Sequence, residues 1–300
     1  MPSPAFEAIV ELMAANDDHE LPLPERRAAM ERGAASMPQP ANTTFVDVDA
    51  AGVPGEWVTA TGAADDRALL YLHGGSYSAC SPRTHRRLTT ALSKEAGVRV
   101  LAADYRLAPE NPFPAALEDA VAVYRWLIDG GTAPEHLAVA GDSAGGGLTI
   151  AMLVAAHDAG LPMPAAAVVI SPWADLELGS DSMTSKAGVD PMLSPQRLKE
   201  NADRYLGGRD PRTPLASPVH ADLTGLPPLL VHVGGREILL DDAKQLAERA
   251  TSDGVDVTLE VYEEMIHVWH ILVGLAPEGD EAVRRVAEFL RGHLPSPDRA

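Results

Sequence analysis

Eight short apolar runs set between turn signals constrain this chain more than any other feature. Uninterrupted apolar stretches of that length suit strands whose two faces are both covered. The runs lie near residues 44–49, 56–60, 68–73, 98–103, 137–140, 166–170, 229–233 and 257–262. Helical spacing is clearest over 115–129, which starts after Pro114, and then over 144–157, 241–252 and 281–290. The early runs follow one another without helices between them, and the later ones alternate strictly with helices. This order predicts an α/β fold: a mostly parallel eight-stranded sheet with an antiparallel start, flanked by helices.

Two regions stand outside that rhythm. The N-terminus has helical spacing at Phe6, Ile9, Val10 and Met13 and leads into a Pro-rich passage at 37–40. From 179 to 218 the chain is polar and rich in Pro and Gly, with a short helical pattern at 196–206, and an insertion of that kind above a sheet often forms a lid. No internal repeat or clean linker divides the 300 residues, so a single domain over 1–300 is the simplest organisation.

A formal charge of -19 disfavours nucleic acid and anionic membranes as partners, since phosphate contacts need clustered Lys and Arg. The longest apolar runs are too short to span a bilayer. Cys80 is the only cysteine, which rules out an intrachain disulfide and a Cys-based zinc site and suits a reducing cytoplasm. Residues 1–20 carry neither a basic n-region nor a long apolar h-region, so no signal peptide is expected.

Chemistry concentrates at Gly141-Asp142-Ser143-Ala144-Gly145, where the apolar run 137–140 gives way to the Ala/Gly-rich helical pattern 144–157. This is the nucleophile-elbow pattern, which predicts Ser143 exposed and strained at the tip of a tight turn, flanked by glycines because a Cβ there would clash. A serine hydroxyl is a poor nucleophile at neutral pH and needs a general base that a carboxylate orients. Among ten histidines, His157 and His293 fall near helix C-termini, His19, His85, His136 and His220 in polar or turn contexts, and His232 inside an apolar strand. His267 follows the last strand, where a loop returns over the carboxyl edge of the sheet, and His270 competes with it by spacing. For the acid, the segment after 229–233 offers Glu237, Asp241 and Asp242; the last two stand where they would cap and charge the next helix. Serine, acid, histidine is the chain order of the α/β-hydrolase triad. An oxyanion also requires preorganised donors, and the turn His73-Gly74-Gly75-Ser76 after 68–72, with the N–H of Ala144, is the candidate.

At these motifs the chain resembles the hormone-sensitive-lipase-like family of α/β-hydrolase serine esterases, over about 67–290. Asp104-Tyr105-Arg106-Leu107-Ala108-Pro109-Glu110, Phe113-Pro114-Ala115-Ala116 and Met265-Ile266-His267-Val268-Trp269-His270 are similar to further hallmarks of that family. The resemblance implies a carboxylesterase for short acyl chains on small-molecule esters, without cofactor or metal, often homodimeric, with a cap built from about 1–40 and 179–218. It implies Ser143, Glu237 and His267 as the triad and Gly74, Gly75, Ser76 and Ala144 as the oxyanion hole. Two departures stand out: Ser76 replaces the third glycine of the oxyanion turn, and Glu237-Ile238-Leu239 replaces the usual Asp-Pro-Leu.

Other readings are weaker. A lactone or amide hydrolase would use the same residues, and a non-catalytic receptor on this fold would lack the catalytic histidine, which this chain keeps. Gly145-Gly146-Gly147 lacks the Walker lysine and the spaced Rossmann glycines that nucleotide binding requires. His267 and His270 as a metal pair lack further ligands nearby. Trp173 and Trp269 are expected to pack, and Cys80 to be a passive small residue.

Overall fold

The computed structural model describes residues 1–15, 21–38 and 40–295; His19 lies outside these. Eight strands form one sheet: β1 (Thr43–Ala50), β2 (Val53–Ala60), β3 (Ala64–Leu72), β4 (Val98–Ala103), β5 (Leu137–Asp142), β6 (Ala166–Ile170), β7 (Leu229–Gly234) and β8 (Val257–Tyr262). Their order is β1-β2-β4-β3-β5-β6-β7-β8, with antiparallel pairing of β1 to β2 and of β2 to β4 and parallel pairing thereafter. Every strand read from the apolar runs is present, and the antiparallel start is where it was expected.

The helices are α1 (Pro4–Ala15), α2 (Leu23–Ser36), α3 (Arg86–Ala96), α4 (Ala115–Asp129), α5 (Ala144–Asp158), α6 (Ser182–Ser185), α7 (Pro195–Leu206), α8 (Leu240–Ser252) and α9 (Pro277–His293). One expectation is corrected: α3 lies between β3 and β4, so the early strands are not free of helices. A parallel pair such as β3 and β4 needs a crossover, and α3 supplies it. Its sequence, Arg-Arg-Leu-Thr-Thr-Ala-Leu-Ser-Lys-Glu-Ala, is poor in apolar residues, yet Leu88, Leu92 and Ala96 at helical spacing are buried.

Alternation along the strands sends side chains to two cores. Leu70, Leu72, Val139, Val169 and Val231 pack with α4, α5 and α8, whereas Leu69, Tyr71, Ala140, Val168 and Leu230 pack with α3 and α9 on the opposite face. Each fully buried leucine in these layers contributes on the order of 2 kcal/mol. A third cluster joins Phe6 and Val10 of α1 to Met265, Ile266, Trp269 and Leu272, beside the segment that carries His267. Trp173 and Trp269 are both buried in packing roles. Among the described residues no helix is long and apolar enough to cross a membrane.

Register brings the parallel strands to a common edge. Leu72 pairs with Gly141, Ile170 with His232, and Gly234 with Tyr262, so the turns after β3, β5, β6, β7 and β8 all open at the carboxyl end of the sheet. Ligand sites of open α/β sheets lie there.

Candidate active site

Ser143 sits between β5 and α5 with φ 54° and ψ −122°, a backbone conformation that side chains other than glycine rarely adopt. The surrounding backbone over-determines it. Its N–H donates to the Ile170 carbonyl at 2.8 Å, and its carbonyl accepts from Gly146, Gly147 and Trp173 at 3.0, 3.1 and 2.9 Å. The flanking glycines are required by close approach: a Cβ at Gly141 would overlap the Gly145 carbonyl, and one at Gly145 would overlap the carbonyls of Leu72 and His73. The side chain of Ser143 is not exposed as predicted. The residue is only 6 % accessible, with His267 lying against its hydroxyl.

His267 stands in the turn after β8 and reaches back over the sheet edge. Its Nε2 is 2.9 Å from Ser143 Oγ, and its Nδ1 is 2.6 Å from Glu237 Oε2. Glu237 follows β7 and is fully buried; its other oxygen accepts the Gly234 N–H at 2.6 Å and the Ser171 hydroxyl at 2.8 Å. Ser171 in turn accepts the Val268 N–H at 3.1 Å, which ties the acid to the residue after His267. Burial works against a charged His267, but the Glu237 carboxylate, together with the charges of Asp190 and Asp142, outweighs burial and holds the imidazole above its ordinary value.

The competing groups are engaged elsewhere. Asp242 accepts the N–H groups of Ala174 and Asp175 at 3.1 and 2.9 Å, and burial pushes its carboxyl well up. Asp241 accepts the Ser182 N–H at 2.8 Å. His270 packs against His232, with its Nε2 3.0 Å from His232 Nδ1; burial, and then the charge of His232, hold it well below the ordinary value.

Sequence reasoning missed Asp142, the buried carboxylate inside the elbow. Its Oδ1 accepts the Tyr71 hydroxyl at 2.7 Å and the Gly74 N–H at 3.0 Å, and it lies 3.4 Å from His85 Nε2. Burial pushes this carboxyl up, yet His85 and Tyr71 outweigh it and hold the group at about 2. Asp142 thereby joins the elbow to the turn after β3. The only signal for it was an acid next to the serine, which the elbow pattern leaves unspecified.

The same bond corrects one candidate donor. An N–H committed to a carboxylate cannot also meet an oxyanion, so Gly74 does not serve as a donor in this arrangement. The N–H groups of Gly75, Ser76 and Ala144 meet no acceptor among the described residues. Gly75, Ser76 and Tyr77 all have positive φ, at 114°, 55° and 57°, so the turn keeps its left-handed path although serine replaces the third glycine. His73 is buried and stacked on Tyr105, and burial lowers it to about 3, so it stays neutral.

Cys80 is free, and burial pushes its thiol up to about 12, as suits a passive residue. Asp175, Glu177 and His220 offer ligand atoms within 4.8 Å of one another, the one such group among the described residues. Asp175 accepts the Glu177 N–H, and Glu177 faces Arg212, so both carboxylates already have partners.

Comparison with known proteins agrees with this geometry. A profile of the alpha/beta hydrolase fold matches residues 69–271. The chain is 53% identical over 236 residues to an acetyl-hydrolase of Streptomyces hygroscopicus, covering 79% of each chain. It is 34% identical over 264 residues to an esterase of Acinetobacter venetianus, covering 88% of this chain and 87% of that one. A crystal structure of an esterase from the bacterial hormone-sensitive lipase family superposes with a TM-score of 0.95 at 46% identity, covering 98% of this chain and 100% of the other. Fold, strand-edge geometry and kinship thus agree that the chain belongs to the alpha/beta-hydrolase family and is a serine esterase of its hormone-sensitive-lipase-like branch.

Proposed function

We propose that the chain cleaves short-acyl carboxylic esters through an acyl-enzyme on Ser143. The observation that carries this reading is the continuous hydrogen-bonded line from Ser143 Oγ through His267 to Glu237, at 2.9 and 2.6 Å. His267 Nε2 takes the hydroxyl proton as Oγ attacks the ester carbonyl, and returns it to the departing alcohol. Water then attacks the acyl-enzyme, with the same nitrogen as base, and the acid leaves while Ser143 recovers its proton. Glu237 holds the Nδ1–H tautomer and stabilises the imidazolium. The negative charge that develops on the carbonyl oxygen is met by the N–H groups of Gly75, Ser76 and Ala144. No step requires a cofactor or metal.

The Streptomyces relative's name, acetyl-hydrolase, supports a short acyl group. Residues of 1–40 and of 179–218 form the cap in this reading, because α7 buries Tyr205 in a stack on Tyr77 at 3.7 Å, just past the candidate oxyanion turn. We place the protein in the cytoplasm, as its lone cysteine suits, and expect a homodimer, which sedimentation would check. The test of the activity is labelling with a fluorophosphonate beside turnover of p-nitrophenyl acetate. An active esterase reacts at Ser143 and Ser143→Ala loses both signals; a receptor on the same fold would show neither in the native protein.

A further inference from the structure

The loop that carries Glu237 is gripped from outside the sheet. Both backbone polar groups of Ile238, the residue after Glu237, are taken by the insertion: the Ile238 N–H donates to Asp190 Oδ2 at 2.9 Å, and the Ile238 carbonyl accepts the Ser182 hydroxyl at 2.7 Å. Ser182 also accepts the Asp241 N–H at 3.1 Å, and Asp241 returns the contact by accepting the Ser182 N–H at 2.8 Å. Ser182 belongs to α6 and is 2 % accessible, while Ile238 is fully buried. Asp190 is itself fixed by its own loop, its Oδ1 accepting the N–H groups of Met192 and Leu193 at 2.8 and 2.9 Å. The insertion therefore holds the acid loop through four hydrogen bonds, on residues one and four places beyond the carboxylate that meets His267.

None of these contacts is needed to build the sheet. Glu237 follows β7, whose strand pairing ends at Gly234, so Ile238 has no sheet partner to hold it. A loop with its N–H and carbonyl buried must find partners somewhere. Here both come from a segment that the basic α/β alternation does not require. Asp190 is also close enough for its charge to favour the imidazolium form of His267.

We propose that Asp190 and Ser182 are positioning residues, a clamp through which the insertion sets the orientation of Glu237 and hence of His267. The proposal rests on the reading of Ser143, His267 and Glu237 as the triad. Insertion and triad are then one mechanical unit, and a change that loosens 182–193 lowers turnover without touching substrate. Displacing a catalytic group by about 1 Å costs on the order of 100-fold in rate, so a loosened clamp is visible in kcat while KM changes little.

The experiment compares Asp190→Asn, Ser182→Ala, Glu237→Gln and the double variant Asp190→Asn/Glu237→Gln. It measures kcat, KM and the pH profile with p-nitrophenyl acetate, with active sites counted by fluorophosphonate labelling. Asparagine keeps an acceptor for Met192 and Leu193 but turns an NH2 toward the Ile238 N–H, so it opens the clamp at one point. Expected is a fall in kcat of roughly 10- to 100-fold for Asp190→Asn, a KM within about twofold, and an acid limb moved to lower pH. Ser182→Ala, which deletes the two contacts of its hydroxyl and leaves the Asp190 bond in place, falls in the same direction should Asp190→Asn not fold. In the Glu237→Gln background Asp190→Asn adds less than about twofold, because the residue acts through Glu237. Folded, fully labelled Asp190→Asn or Ser182→Ala with native kcat and an unmoved acid limb overturns the clamp while leaving the triad intact. A full additive loss in the double variant overturns it too. Native activity of Glu237→Gln overturns the triad reading and the clamp together.

Discussion

Helix α5 buries twelve of its fifteen residues, whereas α2, at fourteen residues, buries none. The first is locked by backbone against backbone, with no room for a Cβ at Gly145. The second is held by polar side chains at its surface. Arg27 donates to the carbonyls of Ser78 and Ala108 at 2.6 and 2.7 Å and pairs with Glu110 at 2.8 Å, and Glu31 accepts the Ser81 hydroxyl. Close packing admits essentially one arrangement, while a few half-exposed ion pairs and hydrogen bonds are individually weak. The molecule thus has a close-packed platform for Ser143 and, in α2, a helix whose attachment rests on polar contacts at its surface. Substitutions should separate the two.

The largest effect is expected at the platform itself. Ser143→Ala should lower kcat/KM on p-nitrophenyl acetate on the order of 10^4-fold or more while leaving the melting temperature near native. Turnover retained by that variant would remove the nucleophile from Ser143. Next, Glu237→Gln should cost on the order of 10^3-fold, since a neutral amide neither fixes the Nδ1–H tautomer nor stabilises the imidazolium. Gly145→Ala tests the packing rather than the chemistry. Its methyl would overlap the Leu72 and His73 carbonyls, so chemical denaturation should show a loss of about 3 kcal/mol or more; a near-native value would mean that the elbow is less tightly built than its contacts indicate.

Smaller effects follow from charge. His267 acts as a base only when neutral, and Glu237 raises its value, so the acid limb of kcat/KM should have its midpoint above the ordinary histidine value of about 6.5. Replacing Glu237 by Gln removes the charge and should move that limb to lower pH; a limb that stays put would assign it to another group. The same raised value adds stability that is fully present below about pH 6.5 and is lost as pH rises through the folded-state value. The smallest change is expected at α2. Arg27→Ala should cost about 1 kcal/mol of stability and act on KM more than on kcat. A loss as large as that of Gly145→Ala would show that α2 is part of the close-packed platform after all.

The legibility of the chain divides along the same line. The eight strands and the elbow were readable because β-runs covered on both faces are continuous and apolar, and because glycines at close approaches leave a visible pattern. Helix α2 escapes a reading of the sequence because it buries no residue and so shows no apolar stripe, and α3 escapes it because only Leu88, Leu92 and Ala96 mark its inner apolar face. Gly74 reads as an oxyanion donor from the sequence, since nothing in a His-Gly-Gly-Ser string says that a carboxylate 68 residues on takes its N–H.

What the sequence alone determined was the order of parts: a parallel sheet, a serine at a strand-to-helix turn, and acid and histidine candidates after the later strands. These are local properties, written in periodicity and in residue types that a tight turn demands. Which carboxylate meets which histidine was decided only by the tertiary structure. Glu237, Asp241 and Asp242 are near neighbours in the chain, and so are His267 and His270, so spacing could not separate them. In three dimensions the strand register and the packing of the insertion turn Glu237 toward His267, engage Asp241 with Ser182 and Asp242 with the backbone of Ala174 and Asp175, and seat His270 against His232. A hydrogen bond is a statement about direction and about distances of a few tenths of an ångström, and direction exists only once the chain has folded.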